Sequence, residues 1–183
     1  MATLSELLST IVEQQTQISH GEPYRDFGLK GNPAASAHAI ALAEQRLARP
    51  LPPSYRAFLR RHDGWPRFYD GATLLGTANL GRRMYEDIAR ATFEAAETPE
   101  PDLGPPSRFK PRVLIPFGID LQGTTLFVFN PAVTDGDGEY EVIAWINEIG
   151  VRRSSFASFL AMISELCEAE LDVHAHGPMR LPQ

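Results

Sequence analysis

The segment Thr124–Phe129 limits the possible folds most strongly, because it is apolar on both faces of a β-strand. Successive side chains of a strand point to opposite faces, so Leu126 and Val128 face one way while two phenylalanines face the other. A strand with two apolar faces must be covered on both sides, which predicts a central strand. The segments Val113–Phe117 and Tyr140–Ile146, rich in β-branched and aromatic residues, are predicted as further strands.

Helical signals precede these strands. Thr3 and Glu6 form a capping-box pattern ahead of apolar residues at helical spacing, which predicts a helix near residues 3–19. Residues 20–35 are rich in glycine and proline and are predicted as a loop. Ser36 is suited to cap a second helix, which ends before the prolines that begin at residue 50.

A third helix is predicted to begin at Pro53, because proline at the first helical position loses no hydrogen bond. Asp63 and Gly64 are expected to end it, with Gly64 left-handed and His62 on the inner face. Beyond it we expect an aromatic loop around Trp65.

The remaining elements are predicted between residue 71 and the last helix. One strand is expected between residues 71 and 80, a helix near 82–96, and a Pro-rich surface loop at 99–111. Asn130–Glu139 is predicted as a turn. Ser154 or Ser155 is suited to cap a last helix.

The order of these elements predicts one α+β domain, with N-terminal helices, an antiparallel or mixed sheet meander, and a C-terminal helix packed on the sheet. The 183 residues of the chain fit a single domain. We divide the chain into an N-terminal helix and loop extension at residues 1–35, the main domain at 36–170, and a flexible tail at 171–183.

Charge and composition narrow the function classes. The chain has 17 Lys and Arg against 23 Asp and Glu, a formal net charge of −6, which disfavours direct binding to nucleic acid or anionic membranes. The first residues have neither the basic region nor the apolar core of a signal peptide, so we expect a cytoplasmic protein. Cys167 is the only cysteine and is predicted to be a small buried hydrophobe rather than a reactive thiol.

No common catalytic, phosphate-binding or metal motif is present in the sequence, so we expect neither an enzyme nor a cofactor. His174 and His176 have a spacing that could hold a metal in an extended segment, although a solvated tail is the simpler interpretation. The run Asp135 to Glu139 superficially resembles a calcium loop. It lacks the twelfth-position glutamate, since residue 146 is isoleucine, and repeated Asp-Gly favours a turn.

The segment from Val113 to Ile149 contains no lysine or arginine and has a net charge of −6. Its acidic residues are Asp120, Asp135, Asp137, Glu139, Glu141 and Glu148. A segment of one sign repels anions and attracts a basic partner, so these residues are predicted to contact one. Trp65, beside Phe68 and Tyr69, is expected either to anchor the loop in the core or to contact the partner. The few arginines nearby make stacking on nucleic acid the least favoured alternative.

Two ordered sets of residues carry a family resemblance. The first set is Glu44, Leu51, Pro52, Tyr55, Phe58, Leu59, Asp63 and Gly64. The second set is Pro116, Phe117, Gly118, Phe156 and Phe159. Over roughly residues 36–166 the chain resembles the SUKH superfamily, the Smi/Knr-type domain.

This resemblance implies an α+β fold without catalytic apparatus, used in bacteria mainly as an immunity protein. Such a protein binds a cognate secreted toxin and blocks it by stoichiometric occlusion. The toxins are often nucleases or deaminases, delivered as polymorphic or type VI effectors. The resemblance therefore implies a protein toxin as partner, and the acidic segment suits a toxin with a basic surface. A non-catalytic regulatory scaffold or ligand-recognition module is the alternative.

Overall fold

The computed structural model describes residues 2–22, 24–95, 113–122, 124–146 and 149–176. The predicted Pro-rich loop at 99–111 and the candidate residue Glu148 lie outside these ranges. The helices are α1 Leu4–Gly21, α2 Ala37–Leu47, α3 Pro53–Leu59, α4 Arg83–Ala95 and α5 Phe156–His176. The strands are β1 Trp65–Tyr69, β2 Ala72–Leu74, β3 Ile115–Ile119, β4 Thr125–Thr134, β5 Tyr140–Ile146 and β6 Ile149–Arg153.

The six strands form one antiparallel sheet in sequence order, β1-β2-β3-β4-β5-β6. Together with the N-terminal helices and a C-terminal helix packed on the sheet, this confirms the predicted α+β class. No helix in the described ranges is long and apolar enough to cross a membrane.

The predicted central strand is β4, whose residues 126–129 are all completely buried. On one face Phe127 lies 4.7 Å from Phe159 of α5, measured between ring centroids. On the other face Leu126 is paired with Trp145, whose ring lies 5.7 Å from that of Phe93 in α4. Helices therefore cover both faces, as the two apolar faces of the sequence require.

The predicted helix starts are confirmed. Thr3 and Glu6 make both bonds of the capping box on α1, and the Ser36 hydroxyl accepts from the N–H of Ala39 at the start of α2. Pro53 is the first residue of α3, and Ser155 caps α5 by accepting from the N–H of Ser158 at 3.1 Å.

The predicted end of α3 is wrong. The helix stops at Leu59, so His62 lies outside it, and the N–H of Asp63 donates to the carbonyl of Pro33 at 2.8 Å. This hydrogen bond holds residue 63 against the 31–33 segment, so the chain leaves the helical path before Asp63. Gly64 is left-handed as predicted, with φ +87°, but it leads into β1 instead of capping α3.

Two strand predictions also need correction, one strand was missed, and the last helix is longer than expected. The aromatic segment beginning at Trp65 is β1, not a loop, and a bulge with Arg67 at φ 47° disrupts the alternation that normally reveals a strand. Strand β4 runs to Thr134 and so occupies half of the predicted 130–139 turn. Strand β6 was not predicted, and α5 continues through residues 171–176, where we expected a tail.

Candidate functional site

The antiparallel order places the β1–β2 turn, the β3–β4 turn and the first residue of β6 at one end of the sheet, here called the turn end. The β4–β5 hairpin lies at the opposite end. Strand β4 has ten residues, so the two ends are roughly 30 Å apart. Asp120 is therefore at the turn end, whereas Asp135 and Asp137 are at the hairpin tip. The acidic segment does not form a single patch.

Two of the predicted contact residues are already used within the fold. The Glu139 carboxylate accepts from the N–H and the hydroxyl of Ser54, each at 2.6 Å, at the start of α3. Glu141 pairs with Arg152, accepts from the Asn130 amide at 2.8 Å, and has a side chain only 11% exposed. These carboxylates hold elements together, so little of their charge is free for a partner.

The run beginning at Asp135 forms the predicted turn. The Asp135 carboxylate accepts from the N–H groups of Asp137 and Glu139, each at 2.9 Å, and Gly138 takes φ +82°. Asp137 stands exposed at the tip. Across the described residues, no three histidine, cysteine or acidic side chains lie close enough to hold a metal ion. The backbone from residue 174 to 176 is helical rather than extended.

Trp65 is a core residue. Its side chain is 4% exposed, its indole N–H donates to the carbonyl of Gly28, and its ring packs 5.8 Å from that of Phe68. The first of the two interpretations therefore fits Trp65, whose side chain lies almost entirely in the core. Cys167 is completely buried, and burial raises the pKa of its thiol to about 12, as befits an unreactive cysteine.

A groove of about 640 Å³ opens at the turn end. It lies between the 24–27 segment, the β1–β2 turn and the β3–β4 turn, and is lined by Asp26, Asp70 and Asp120 together with Arg25 and Arg67. Only Asp120 belongs to the acidic segment identified from the sequence. The others come from positions far apart in the chain.

Both arginines of the groove are bound to carboxylates. Arg25 makes a bidentate pair with Glu170 of α5, at 3.0 and 2.9 Å, and reaches Asp70 at 3.4 Å. The Glu170 carboxylate raises the pKa of Arg25. Arg67 contacts Asp26 at 2.6 Å. The positive charges of the groove are thus locally compensated.

Asp120 differs from the other acids of the groove. Thr124 donates its hydroxyl to Oδ2, while Oδ1 is buried and has no hydrogen-bond partner in the described part of the chain. No ion pair to Asp120 occurs among the described residues. A buried polar atom without a partner costs about 1–3 kcal/mol, so an unpaired carboxylate oxygen here requires an explanation.

Large apolar side chains project beside this groove. Tyr24 is 92% exposed and Leu121 is 78% exposed, and both line the groove. Ile149, at the first position of β6, is 65% exposed at the same end of the sheet. Single exposed apolar residues are ordinary, but several at one end are typical of an interaction surface. These residues could not be predicted from the sequence, because nothing local distinguishes an exposed leucine from a buried one.

The residues that carry the family resemblance are structural. The Tyr55 ring lies 4.8 Å from Phe156 and 5.2 Å from Phe129, at the centre of the aromatic core. Glu44 accepts from the N–H of Leu51 at 2.9 Å and so fixes the connection from α2 to α3.

The Asp63 carboxylate accepts from the N–H of Thr77 at 2.5 Å and from its hydroxyl at 2.9 Å, tying the start of β1 to the segment after β2. These contacts join α2 to α3 and β1 to the segment after β2.

Comparison with protein families found a match to the model described as the SMI1 / KNR4 family (SUKH-1), over residues 34–165. The matched region begins just before α2 and ends within α5. The comparison with curated proteins found no match.

Proposed function

The chain belongs to the SMI1 / KNR4 family (SUKH-1), and from this membership and the surface at the turn end we propose that it is a non-catalytic immunity protein. It binds a cognate secreted bacterial toxin in the cytoplasm and neutralises it by stoichiometric occlusion. The family includes immunity proteins. The observation that carries the proposal is the exposure of Tyr24 and Leu121 on a groove that contains Asp120, with Ile149 exposed at the same end of the sheet.

The turn end suits the centre of a protein interface. Apolar and aromatic side chains supply most of the binding energy when a partner covers them, and charged groups around them select the partner. The six-stranded sheet fixes the turns relative to one another, so little conformational entropy is lost on binding. An immunity protein needs no chemistry of its own, since covering the toxin is sufficient.

The hairpin tip lies at the other end of the sheet from this groove. Asp135 and Asp137 lie roughly 30 Å from the turn end, more than three Debye lengths at physiological salt. Their charge is screened from a partner bound at the other end. We therefore propose Asp120 as the contact residue from the acidic segment, with Asp135 and Asp137 in solvent.

A toxin with a basic surface fits the net charge of −6. Nucleases and nucleic-acid deaminases need cationic surfaces to bind their polyanionic substrates. We therefore propose a toxin of this type, delivered as a polymorphic or type VI effector.

Affinity capture from the native cells tests the proposal. The tagged protein is captured at low salt, and bound chains are identified with their stoichiometry. We expect one basic toxin domain at 1:1, whose toxicity disappears on co-expression. The variant Leu121→Glu should lose the partner, whereas Met84→Glu, a change at a residue 55% exposed in α4, should retain it.

Two results would oppose the proposal. Recovery of many housekeeping proteins would favour the regulatory scaffold. So would recovery of no partner from cells that are shown to express a toxin from the neighbouring gene. Retention of the toxin by the Leu121→Glu variant would remove the turn end as the contact surface.

A further inference from the structure

We propose that the groove at the turn end receives an arginine side chain of the partner, with Asp120 as the carboxylate that accepts its guanidinium. This inference rests on the proposed function, because it names the group through which a partner protein would enter. It follows from three features of the groove.

The first feature is that the groove's own cations are committed elsewhere. Arg25 is held by Glu170 through two bonds of 3.0 and 2.9 Å, and Arg67 by Asp26 at 2.6 Å. Turning either arginine toward Asp120 would break an existing charge-assisted pair. None of the ion pairs among the described residues involves Asp120, so its charge is available to a cation from a partner.

The second feature is the preset orientation of the Asp120 carboxylate. Oδ2 accepts from Thr124, and the backbone N–H of Asp120 donates to the carbonyl of Thr125 at 3.0 Å. Oδ1 is buried without a donor. The only heavy atom within 4 Å of a Cβ added at Gly71 would be the Asp120 Cβ, at 4.0 Å, so the β1–β2 turn leaves open space beside Asp120. The acceptor is thus fixed before a donor arrives.

The third feature is the exposed ring of Tyr24, which lines the same groove and is 92% exposed. A guanidinium is planar and weakly hydrated, donates through several N–H groups, and stacks on aromatic rings. An ammonium group is more strongly hydrated and cannot stack in this way. Arginine therefore fits a groove that combines a carboxylate without an ion pair among the described residues and an exposed aromatic ring.

An NMR titration tests this with a probe that needs no toxin. Nα-acetyl-L-arginine amide imitates an arginine within a chain, and Nα-acetyl-L-citrulline amide is its neutral isostere. We expect the arginine probe to bind with a dissociation constant on the order of 1 mM, as is usual for a ligand of this size. Shifts should appear at residues 24–27, 70–71 and 120–122, and the citrulline probe should produce none.

Matched variants assign the effect to Asp120. Asp120→Asn should weaken binding of the arginine probe at least tenfold. Asp137→Asn removes the same charge at the other end of the sheet and should leave binding unchanged. The amide spectrum away from the groove shows whether each variant is folded. Thr124→Val, which frees the carboxylate to rotate, should weaken binding several-fold and provides a second test.

Three results would overturn the inference. The first is that the citrulline probe binds as tightly as the arginine probe. The second is that folded Asp120→Asn binds the arginine probe with unchanged affinity. The third is that free L-arginine binds tenfold more tightly than the arginine probe, which would indicate a small-molecule site. If the probe binds at Asp120 but no toxin is captured, the proposed function fails while the guanidinium chemistry stands. If the toxin is captured and the probe does not bind, only the groove inference fails.

Discussion

Glu139 and Ser54 join the β4–β5 hairpin to the first turn of α3. Glu139 Oε1 accepts from the Ser54 N–H at 2.6 Å, and Oε2 accepts from the Ser54 hydroxyl at 2.6 Å. The residue before the helix is Pro52, which provides no side-chain cap. A carboxylate 85 residues away in the chain therefore supplies the missing cap, and its negative charge is favourable at a helix N-terminus.

Removing this cap should destabilise the fold. Glu139→Ala is expected to lower the free energy of unfolding by about 1–2 kcal/mol, the usual effect of losing a helix cap. Urea denaturation measures the change. Asp137→Ala, two residues away and exposed, is the control and should change stability by less than about 0.5 kcal/mol. Equal effects of the two substitutions would contradict the capping role.

Gly118 is required by close packing. A Cβ at this position would lie 2.3 Å from Cδ2 of Phe127 on the neighbouring strand β4. Gly118→Ala should therefore cost about 1–3 kcal/mol through overpacking. At Gly136, where no heavy atom lies within 4 Å of an added Cβ, the same substitution should be nearly neutral. Thermal unfolding of both variants tests the difference, and a neutral Gly118→Ala would show that the sheet can yield there.

Tyr55 contributes through its hydroxyl as well as its ring. The buried hydroxyl donates to the carbonyl of Leu75 at 2.7 Å. Tyr55→Phe leaves this buried acceptor without that donor, so we expect a loss of about 1–2 kcal/mol in denaturation experiments. Tyr85→Phe, at a partly buried tyrosine of α4, is a control expected to change stability less. No loss in Tyr55→Phe would mean that the ring alone matters.

Cys167 should make stability decrease at high pH. Burial raises the thiol pKa from 9.0 to about 12, so between these values the unfolded chain loses a proton that the folded chain keeps. Unfolding is then favoured as pH rises, and the stabilising contribution of this thiol is complete only below pH 9. Between pH 8 and pH 10 the stability advantage of wild type over Cys167→Ala should shrink by about 1 kcal/mol.

Thiol alkylation at pH 8 gives an independent check on Cys167. The native thiol should react far more slowly than the thiol of the urea-unfolded chain, because it is completely buried and protonated. Rapid alkylation of the folded protein would contradict the burial of Cys167.

Local sequence patterns correctly predicted the helix caps and strand faces that depend on residues close together in the chain. Three such features are confirmed, and each involves residues a few positions apart. They are the Thr3 capping box, the Ser36 cap and the two apolar faces of the strand around Val128. The end of α3 and strand β1 were mispredicted because distant partners decide them. Asp63 pairs with Pro33, and a bulge at Arg67 removes the alternating pattern.

The sequence by itself determined the fold class and the burial of Cys167, because hydrophobic periodicity and capping act over short separations along the chain. The family followed from the ordered residue sets that carry the resemblance. Tertiary structure alone decided which acids share a surface. The antiparallel order sends Asp120 and Asp135 to opposite ends of β4, and it engages Glu139 and Glu141 inside the fold. Net charge adds along a sequence, but a binding surface depends on distances in space, which strand pairing sets.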